Sequence, residues 1–184
     1  TTSGAVFTFD VAALATGTAV IECNVRVSTG NDVLLDLPSV STTLTISVDG
    51  TLTGQVLASK PVTISLYNPD STLATSMLAY GDGTFSLTAP AGSYTVVATA
   101  SGFLNAEGPA VITAGETTTK ATVSLIAGDI DGNGVIDQYD AMTIGMGYNT
   151  ATPDAADLNA DGIINVLDLE ILAANYRATG PLSW

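Results

Sequence analysis

The 184-residue sequence has no histidine, one cysteine, one tryptophan and only four basic side chains against 18 acidic ones. Without histidine the commonest general base and the usual zinc ligand are missing, and no Ser/His/Asp or Cys/His triad can be assembled. The lone Cys23 forbids an internal disulfide. Its alternation with Ile21 and Val25 fits a buried thiol on the inner face of a strand better than a reactive one. A formal charge of −14 repels nucleic acid phosphates and the anionic face of a membrane, so no nucleic acid partner and no membrane insertion are expected. No apolar run approaches the length needed to span a bilayer. The chain opens on Thr1 with neither methionine nor a signal-like segment, and reads as a mature or trimmed piece of something longer.

What is present divides along the chain. Up to about Ala127, short alternating runs of Val, Thr, Ile and Leu are broken by Gly, Pro, Asn and Asp at the intervals of a β-sandwich. In AVIECNVRVS, Ile21, Cys23, Val25 and Val27 share one face while Glu22, Asn24, Arg26 and Ser28 share the other, as in one half-buried strand. Residues 1–49 offer about four strands: GAVFTFDV, the run just described, DVLLDL and TTLTISV. That is half a sandwich, whose apolar face must pack on the next domain, another chain or upstream sequence. The stretch GAVFTFDVAALATGTAVIECNVRV resembles the closing strands of a cohesin-type jelly roll without its opening strands.

Residues 50–127 offer about six or seven more strands, with dense turn chemistry. The stretch GDGTFSLTAPAGSYTVVATASGFL resembles the prealbumin-like sandwich of carboxypeptidase-regulatory-like domains, through Asp82, Gly83, Phe85, Pro90, Gly92, Tyr94, Gly102 and Phe103. Gly83 and Gly92 are expected in positive-φ turns, and Phe85 and Tyr94 in the core. Such turns hold a scaffold and carry no reactive group.

After Gly128 the chain repeats itself. DIDGNGVIDQYD (Asp129 to Asp140) and DLNADGIINVLD (Asp157 to Asp168) align without gaps at a spacing of 28 residues. Each has oxygen-bearing side chains at loop positions one, three, five, nine and twelve, glycine at six and an aliphatic residue at eight. Calcium takes six to eight hard oxygen ligands at roughly 2.3–2.6 Å, and a twelve-residue loop of this spacing wraps one ion. The expected ligands are Asp129, Asp131, Asn133, the Val135 carbonyl, Asp137 and Asp140 in the first loop. In the second they are Asp157, Asn159, Asp161, the Ile163 carbonyl, Asn165 and Asp168. Two Ca2+ ions would offset part of the net charge, and loss of the ions is expected to destabilise the loops. Asp and Asn also cluster in turns through local side chain to backbone bonds, which would explain one such loop alone. Restoration of the same oxygen positions and the same glycine in a second loop favours metal.

The segments GDIDGNGVIDQYDAMTIGMGYN and ADLNADGIINVLDLEILAANYR, each a loop followed by a helix with no entering helix, resemble a dockerin. The fold expected for the whole chain is mainly β with a small α C-terminal module: β-sandwich domains followed by a dockerin-like pair of calcium loop-helix repeats over residues 128–184. The resemblance implies noncovalent attachment to a cohesin-like protein through the helix surfaces, with calcium fixing the loops, in a secreted or cell-surface setting. Positions ten and eleven, often a Ser/Thr recognition pair in dockerins, are Gln138 and Tyr139 in one repeat and Val166 and Leu167 in the other. The usual Lys-Arg pair near the helix end is absent, so symmetric two-way docking is not expected. Gln138, Tyr139, Val166 and Leu167 are the candidate partner-binding residues, although Val166, Leu167 and Ile171 can equally face the preceding sandwich. Met142, Met146, Leu169, Leu172 and Tyr176 read as a shared core. Thr152 and Pro153 suit the start of a short linking helix, Gly180 and Pro181 stop the second helix, and Trp184 is expected to tuck against this module.

Two functions follow. One is a non-catalytic, extracellular calcium-binding assembly module that attaches its parent protein to a cohesin-like partner. The alternative is a self-assembling structural subunit of an extracellular filament or surface layer, in which copies of the same chain complete each other's sheets and calcium stiffens the joints. Catalysis is not expected: the only glutamates are Glu22, Glu107, Glu116 and Glu170, none with an evident acid/base partner, and the aspartates are largely engaged by the loops.

Overall fold

Alternating apolar residues between turn-forming ones give strands here, and the two acidic loops give the only two α-helices among the described residues. The computed structural model describes residues 17–24, 26–28, 34–36, 38–46 and 48–184. The chain divides into two units, Thr1–Val48 and Asp49–Trp184. No helix among the described residues is long and apolar enough to cross a membrane.

In the first unit, β1 (Gly17–Cys23) pairs antiparallel with β4 (Val40–Ile46), from Gly17 opposite Ile46 to Cys23 opposite Val40. A second pair joins β2 (Arg26–Ser28) to β3 (Leu34–Asp36). The single strand expected over Ala19 to Ser28 is therefore two strands in different sheets, broken at Asn24, a residue whose amide competes with ladder hydrogen bonds. Within β1 the alternation holds, with Ile21 and Cys23 half-buried around an exposed Glu22, so the thiol is only partly covered. The expected strand GAVFTFDV and Val25 lie outside the described residues.

The second unit is built from two sheets. The first contains β6 (Thr63–Tyr67), β7 (Leu73–Leu78), β9 (Gly92–Thr99), β10 (Ala106–Ile112) and β13 (Leu182–Ser183), in the order β13-β10-β9-β6-β7. In the second, β5 (Asp49–Leu57) pairs antiparallel with β8 (Thr84–Pro90) and parallel with β11 (Thr117–Thr119) and β12 (Val123–Ser124). Alternate residues point inward: Phe85, Leu87 and Ala89 from β8, Leu52 and Val56 from β5, Val96 and Ala98 from β9, and Ala110 and Ile112 from β10. Each large apolar side chain removed from water contributes about 1.5–3 kcal/mol. The turn before β8 is fixed by Asp82, whose Oδ1 accepts from the Thr84 N–H at 3.0 Å and from its hydroxyl at 2.7 Å. Gly83 takes φ +80° there, and a Cβ on it would lie 2.1 Å from the Val56 carbonyl oxygen. Gly92 is not in the left-handed region as expected; it opens β9 in extended pairing with Ile112.

From β12 the chain passes straight into the acidic loops, and the core passes with it. Leu104, Ile136, Ile144, Leu158, Ile164 and Leu172 are buried in the same cluster as Leu52 and Ile64 of the sandwich. Polar contacts cross the same junction. The Ser59 hydroxyl donates to the Leu158 carbonyl at 2.6 Å, and the Asn175 amide donates to the Ala127 carbonyl at 2.8 Å. The buried Lys60 ammonium donates to the Asp154 carbonyl and lies 3.3 Å from its carboxylate. Gly102, at φ +81°, lets the Ala155 carbonyl approach to where a Cβ would sit 2.1 Å away. The C-terminal residues return to the sandwich as β13, parallel to β10. The Trp184 N–H donates to the Glu107 carbonyl at 2.9 Å and its indole N–H to the Ala121 carbonyl at 2.8 Å. Its ring meets Phe85 edge-on at 5.7 Å. Trp184 thus packs on the sandwich, not on the loop-helix module as expected, because the extended tail finds an open strand edge.

Candidate metal centres and docking face

Each acidic loop closes on itself through the aspartate at position twelve. Asp140 is fully buried: its Oδ1 accepts from the Ile130 N–H at 2.7 Å and the Asp131 N–H at 3.1 Å, and its Oδ2 accepts from the Asp137 N–H at 2.8 Å. Asp168 repeats the pattern, with Leu158 at 2.7 Å and Asn159 at 3.3 Å on one oxygen and Asn165 at 2.8 Å on the other. The position-nine residues cap the helices that follow. Asp137 accepts from the Tyr139 N–H at 2.7 Å to start α1 (Gln138–Met146), and Asn165 accepts from the Leu167 N–H at 2.8 Å to start α2 (Val166–Ala174). Both are capping boxes, satisfying amides that a helix leaves unpaired at its start. The D-x-x-D and N-x-x-D spacings carried this signal in the sequence.

The aliphatic residue at position eight ties each loop to the chain segment that follows the other repeat's helix. Ile136 exchanges backbone hydrogen bonds of 2.9 Å with Arg177 and Ala178, and Ile164 exchanges bonds of 2.8 Å with Asn149 and Thr150. Arg177 and Asn149, again 28 residues apart, both take positive φ, at 73° and 62°. The pseudo-symmetry of the sequence is thus a pseudo-symmetry of the backbone, and sequence reasoning missed this exchange because it involves residues outside the loops.

Of the expected ligands, Asp129, Asp131 and Asp140 are brought together, with one carboxylate oxygen from each lying within 4.8 Å of the others. Asp129 is buried; its Oδ2 accepts from the Gly134 N–H at 3.1 Å, whereas its Oδ1 has no hydrogen-bond partner. Burial holds the Asp129 carboxyl above the usual carboxylate range, and the charges of Asp140 and Asp131 add to the effect, against the Gly134 N–H that lowers it. A buried carboxylate oxygen without a donor, among two other carboxylates, fits a hard divalent cation and is costly without one. Asn133 turns the first loop by accepting from the Val135 N–H at 2.8 Å. In the second loop the Asp157 oxygens accept from Asp161 at 3.1 Å and Gly162 at 2.8 Å. Asn159 and Asp161 are joined at 2.8 Å, and the Ile163 carbonyl accepts from the Asn165 amide at 3.1 Å. The second donor set carries one carboxylate fewer than the first, with Asn165 standing where the first loop has Asp137.

The helices turn a different face inward from the one expected. Of Met142, Met146, Leu169, Leu172 and Tyr176, only Leu172 is buried, and Met146 is 78% exposed. The buried aspartate in each first turn fixes the rotation, so that residues four further on, Ile144 and Leu172, point into the core beside Ile136, Leu158 and Ile164. Tyr139, Met142 and Met146 therefore line the outside of α1. Val166, Leu167 and Leu169 are exposed on α2. Gln138 is exposed too. Of the three residues able to face the sandwich, only Ile171 packs against the core. Neither helix carries a basic residue in its last turn. The linking 3-10 helix spans Asp154–Ala156 with Pro153 as its cap and no side-chain capping bond, so Thr152 does not serve as one. α2 ends at Ala174, capped by Asn175, before Gly180 and Pro181 are reached.

Residues 127–175 match the family model of the dockerin type I domain. No curated protein matches the chain. Among solved structures, one chain of an N-terminal interface mutant of a type II cohesin-X-dockerin complex from Acetivibrio cellulolyticus is similar, with a TM-score of 0.57 and 22% identity over 71% of this chain and 97% of that one. A C-terminal interface mutant of the type II complex from the same organism gives a TM-score of 0.55, also at 22% identity over 71% and 97%. At that identity the likeness is one of fold.

Proposed function

We propose that residues 128–184 form a calcium-stabilised docking module that attaches the protein, outside the cell, to a cohesin-like partner. The observation that carries this reading is the pairing of a buried, partly unpartnered carboxylate cluster with two short helices whose outer faces are apolar. Asp129, Asp131, Asn133, the Val135 carbonyl, Asp137 and Asp140 would hold one Ca2+. Asp157, Asn159, Asp161, the Ile163 carbonyl, Asn165 and Asp168 would hold a second. The ions supply charge neutralisation and loop closure. The protein's own residues do the rest: Asp137 and Asn165 start the helices, and Asp140 and Asp168 set their rotation. Tyr139, Met142, Met146, Val166 and Leu167 are thereby held outward on a rigid base shared with the sandwich.

The role is one of binding and not of catalysis. Exposed apolar side chains grouped on neighbouring helices mark a protein contact. The unequal pairs Gln138/Tyr139 and Val166/Leu167 favour docking in one orientation, and the lack of basic residues in the last turns favours an apolar face on the partner. Dockerin similarity over residues 127–175 and the fold shared with a chain of a cohesin-X-dockerin complex support the cohesin-like identity of that partner. The test is surface plasmon resonance of the chain over immobilised cohesin modules, in calcium and in chelator. Binding is expected in calcium only, and is expected to be lost in Tyr139→Asp or Leu167→Asp. Binding that ignores chelator and both substitutions would contradict the proposal.

A further inference from the structure

The first loop is tied to the C-terminal tail, and the tail is tied to the sandwich. Gly134 makes the first link: its N–H donates to Asp129 Oδ2 at 3.1 Å while its carbonyl accepts from the Gly180 N–H at 2.8 Å. Val135 forms an antiparallel bridge with Thr179, and Ile136 pairs with Arg177 and Ala178. Four residues of tail therefore lie along loop positions six to eight. The tail then runs through Pro181 into β13, where the Leu182 N–H donates to the Asn105 carbonyl at 2.7 Å and Trp184 reaches Ala121 and Phe85. Lys120 clamps the end, donating to the Trp184 carbonyl at 2.9 Å with its ammonium 5.5 Å from the ring centroid. Loop, tail and sheet edge surround one cleft of about 280 Å³, lined by Asp129 and Asn133 on one side, Asn105 and Glu107 on another, and Gly180 and Pro181.

The second loop has no such extension, since Ile164 pairs with Asn149 and Thr150, which lead into the linking 3-10 helix. A two-residue parallel strand is marginal by itself, so β13 stays seated through what holds its two ends. One end is the Trp184 anchor and the other is the first loop.

Resting on the calcium reading above, the geometry points to a latch: cation binding in the first loop and seating of residues 177–184 on β10 are one coupled equilibrium, whereas the second loop makes no direct backbone hydrogen bond to the tail. A filled loop orders the peptide between Asp129 and Gly134 and so holds Gly180 in place. An emptied one releases Trp184 from the sheet edge and uncovers β10. Coupling is reciprocal, so unseating the tail weakens cation binding in the first loop alone.

Trp184 is the chain's single tryptophan, so its emission reports the latch without a label. Calcium titration of the chelated full chain is expected to shift that emission to the blue while calorimetry counts two ions. Asp131→Asn, which weakens the first loop only, is expected to abolish the emission change with one ion still bound. For the reciprocal arm, a Cβ on residue 108 would lie 1.7 Å from the Trp184 carbonyl oxygen, so Gly108→Ala expels the tail. Trp184→Ala removes the anchor without adding an atom. In both, affinity for one ion is expected to fall about tenfold, with the other unchanged. Uptake of two ions without an emission change, an emission change that survives Asp131→Asn, or unchanged affinities in both tail variants would overturn the latch while leaving the calcium reading intact. Absence of any calcium uptake would overturn both.

Discussion

Position four of each acidic loop lies in the left-handed region, at Gly132 with φ +74° and at Ala160 with φ +59°. An L-residue there costs about 1–2 kcal/mol. Glycine escapes that cost but loses roughly 0.5–1 kcal/mol more backbone freedom than alanine on folding. The difference leaves about 0.5–1 kcal/mol in favour of glycine at either position. No atom lies within 4 Å of the Cβ that an alanine would bring to position 132, so Gly132→Ala measures the backbone term with no clash added. Ala160→Gly is therefore expected to stabilise the loop-helix module by about 0.5–1 kcal/mol, and Gly132→Ala to destabilise it by a similar amount. For a chain of this size each kcal/mol moves Tm by roughly 2–4 °C. Thermal unfolding in saturating calcium, followed by Trp184 fluorescence, keeps the readout on the unit that contains the loops. A lower Tm for Ala160→Gly, or shifts of the same sign in both variants, would refute the left-handed geometry at position four.

Leu172→Ala is expected to cost about 2–5 kcal/mol, whereas Met146→Ala stays within about 0.5 kcal/mol in urea unfolding, separating two residues that the sequence pattern places together in the core. The two variants also separate on the partner: Met146→Ala is expected to weaken docking without loss of stability. In chelator, Asp129 contributes a pH dependence of definite sign. Its carboxyl is raised above 3.8 in the folded state, so the native chain binds the extra proton, and this group's contribution to stability falls as pH rises from about 3.8 through the raised value. Metal-free Asp129→Asn is thus expected to be more stable than the parent near neutral pH and to lose that advantage on acidification, as read from urea midpoints.

The loops were legible as a repeat because their pattern is local: twelve residues suffice to specify oxygen spacing and a glycine, whereas the caps that Asp137 and Asn165 supply emerged only in the structure. Helix rotation was not. VLDLEILAA and QYDAMTIGM carry apolar residues on most sides of nine-residue helices, so periodicity could not choose between Leu169 and Leu172, or between Met142 and Ile144. The buried aspartate in the first turn made the choice, and its burial depends on the folded loop. Strands of the sandwich were legible by alternation, and Phe85, expected in the core, is buried on β8 beside Leu87 and Ala89. The two-residue β13 was not, being too short for any period, and its partner strand lies more than 70 residues earlier in the chain. Asn24 reads in the sequence as one more residue on the polar face of a strand, and the alternation running through it hid the break between β1 and β2. Lys60 gave no local sign of its burial, since Asp154 meets it only across the junction.

The most direct test of the account is a count of calcium by native mass spectrometry on the intact chain, with melting measured in parallel. Two ions per chain, a lower melting temperature in chelator, and one ion remaining in Asp131→Asn are the predicted results. A chain that retains no calcium and melts identically with and without chelator would contradict it.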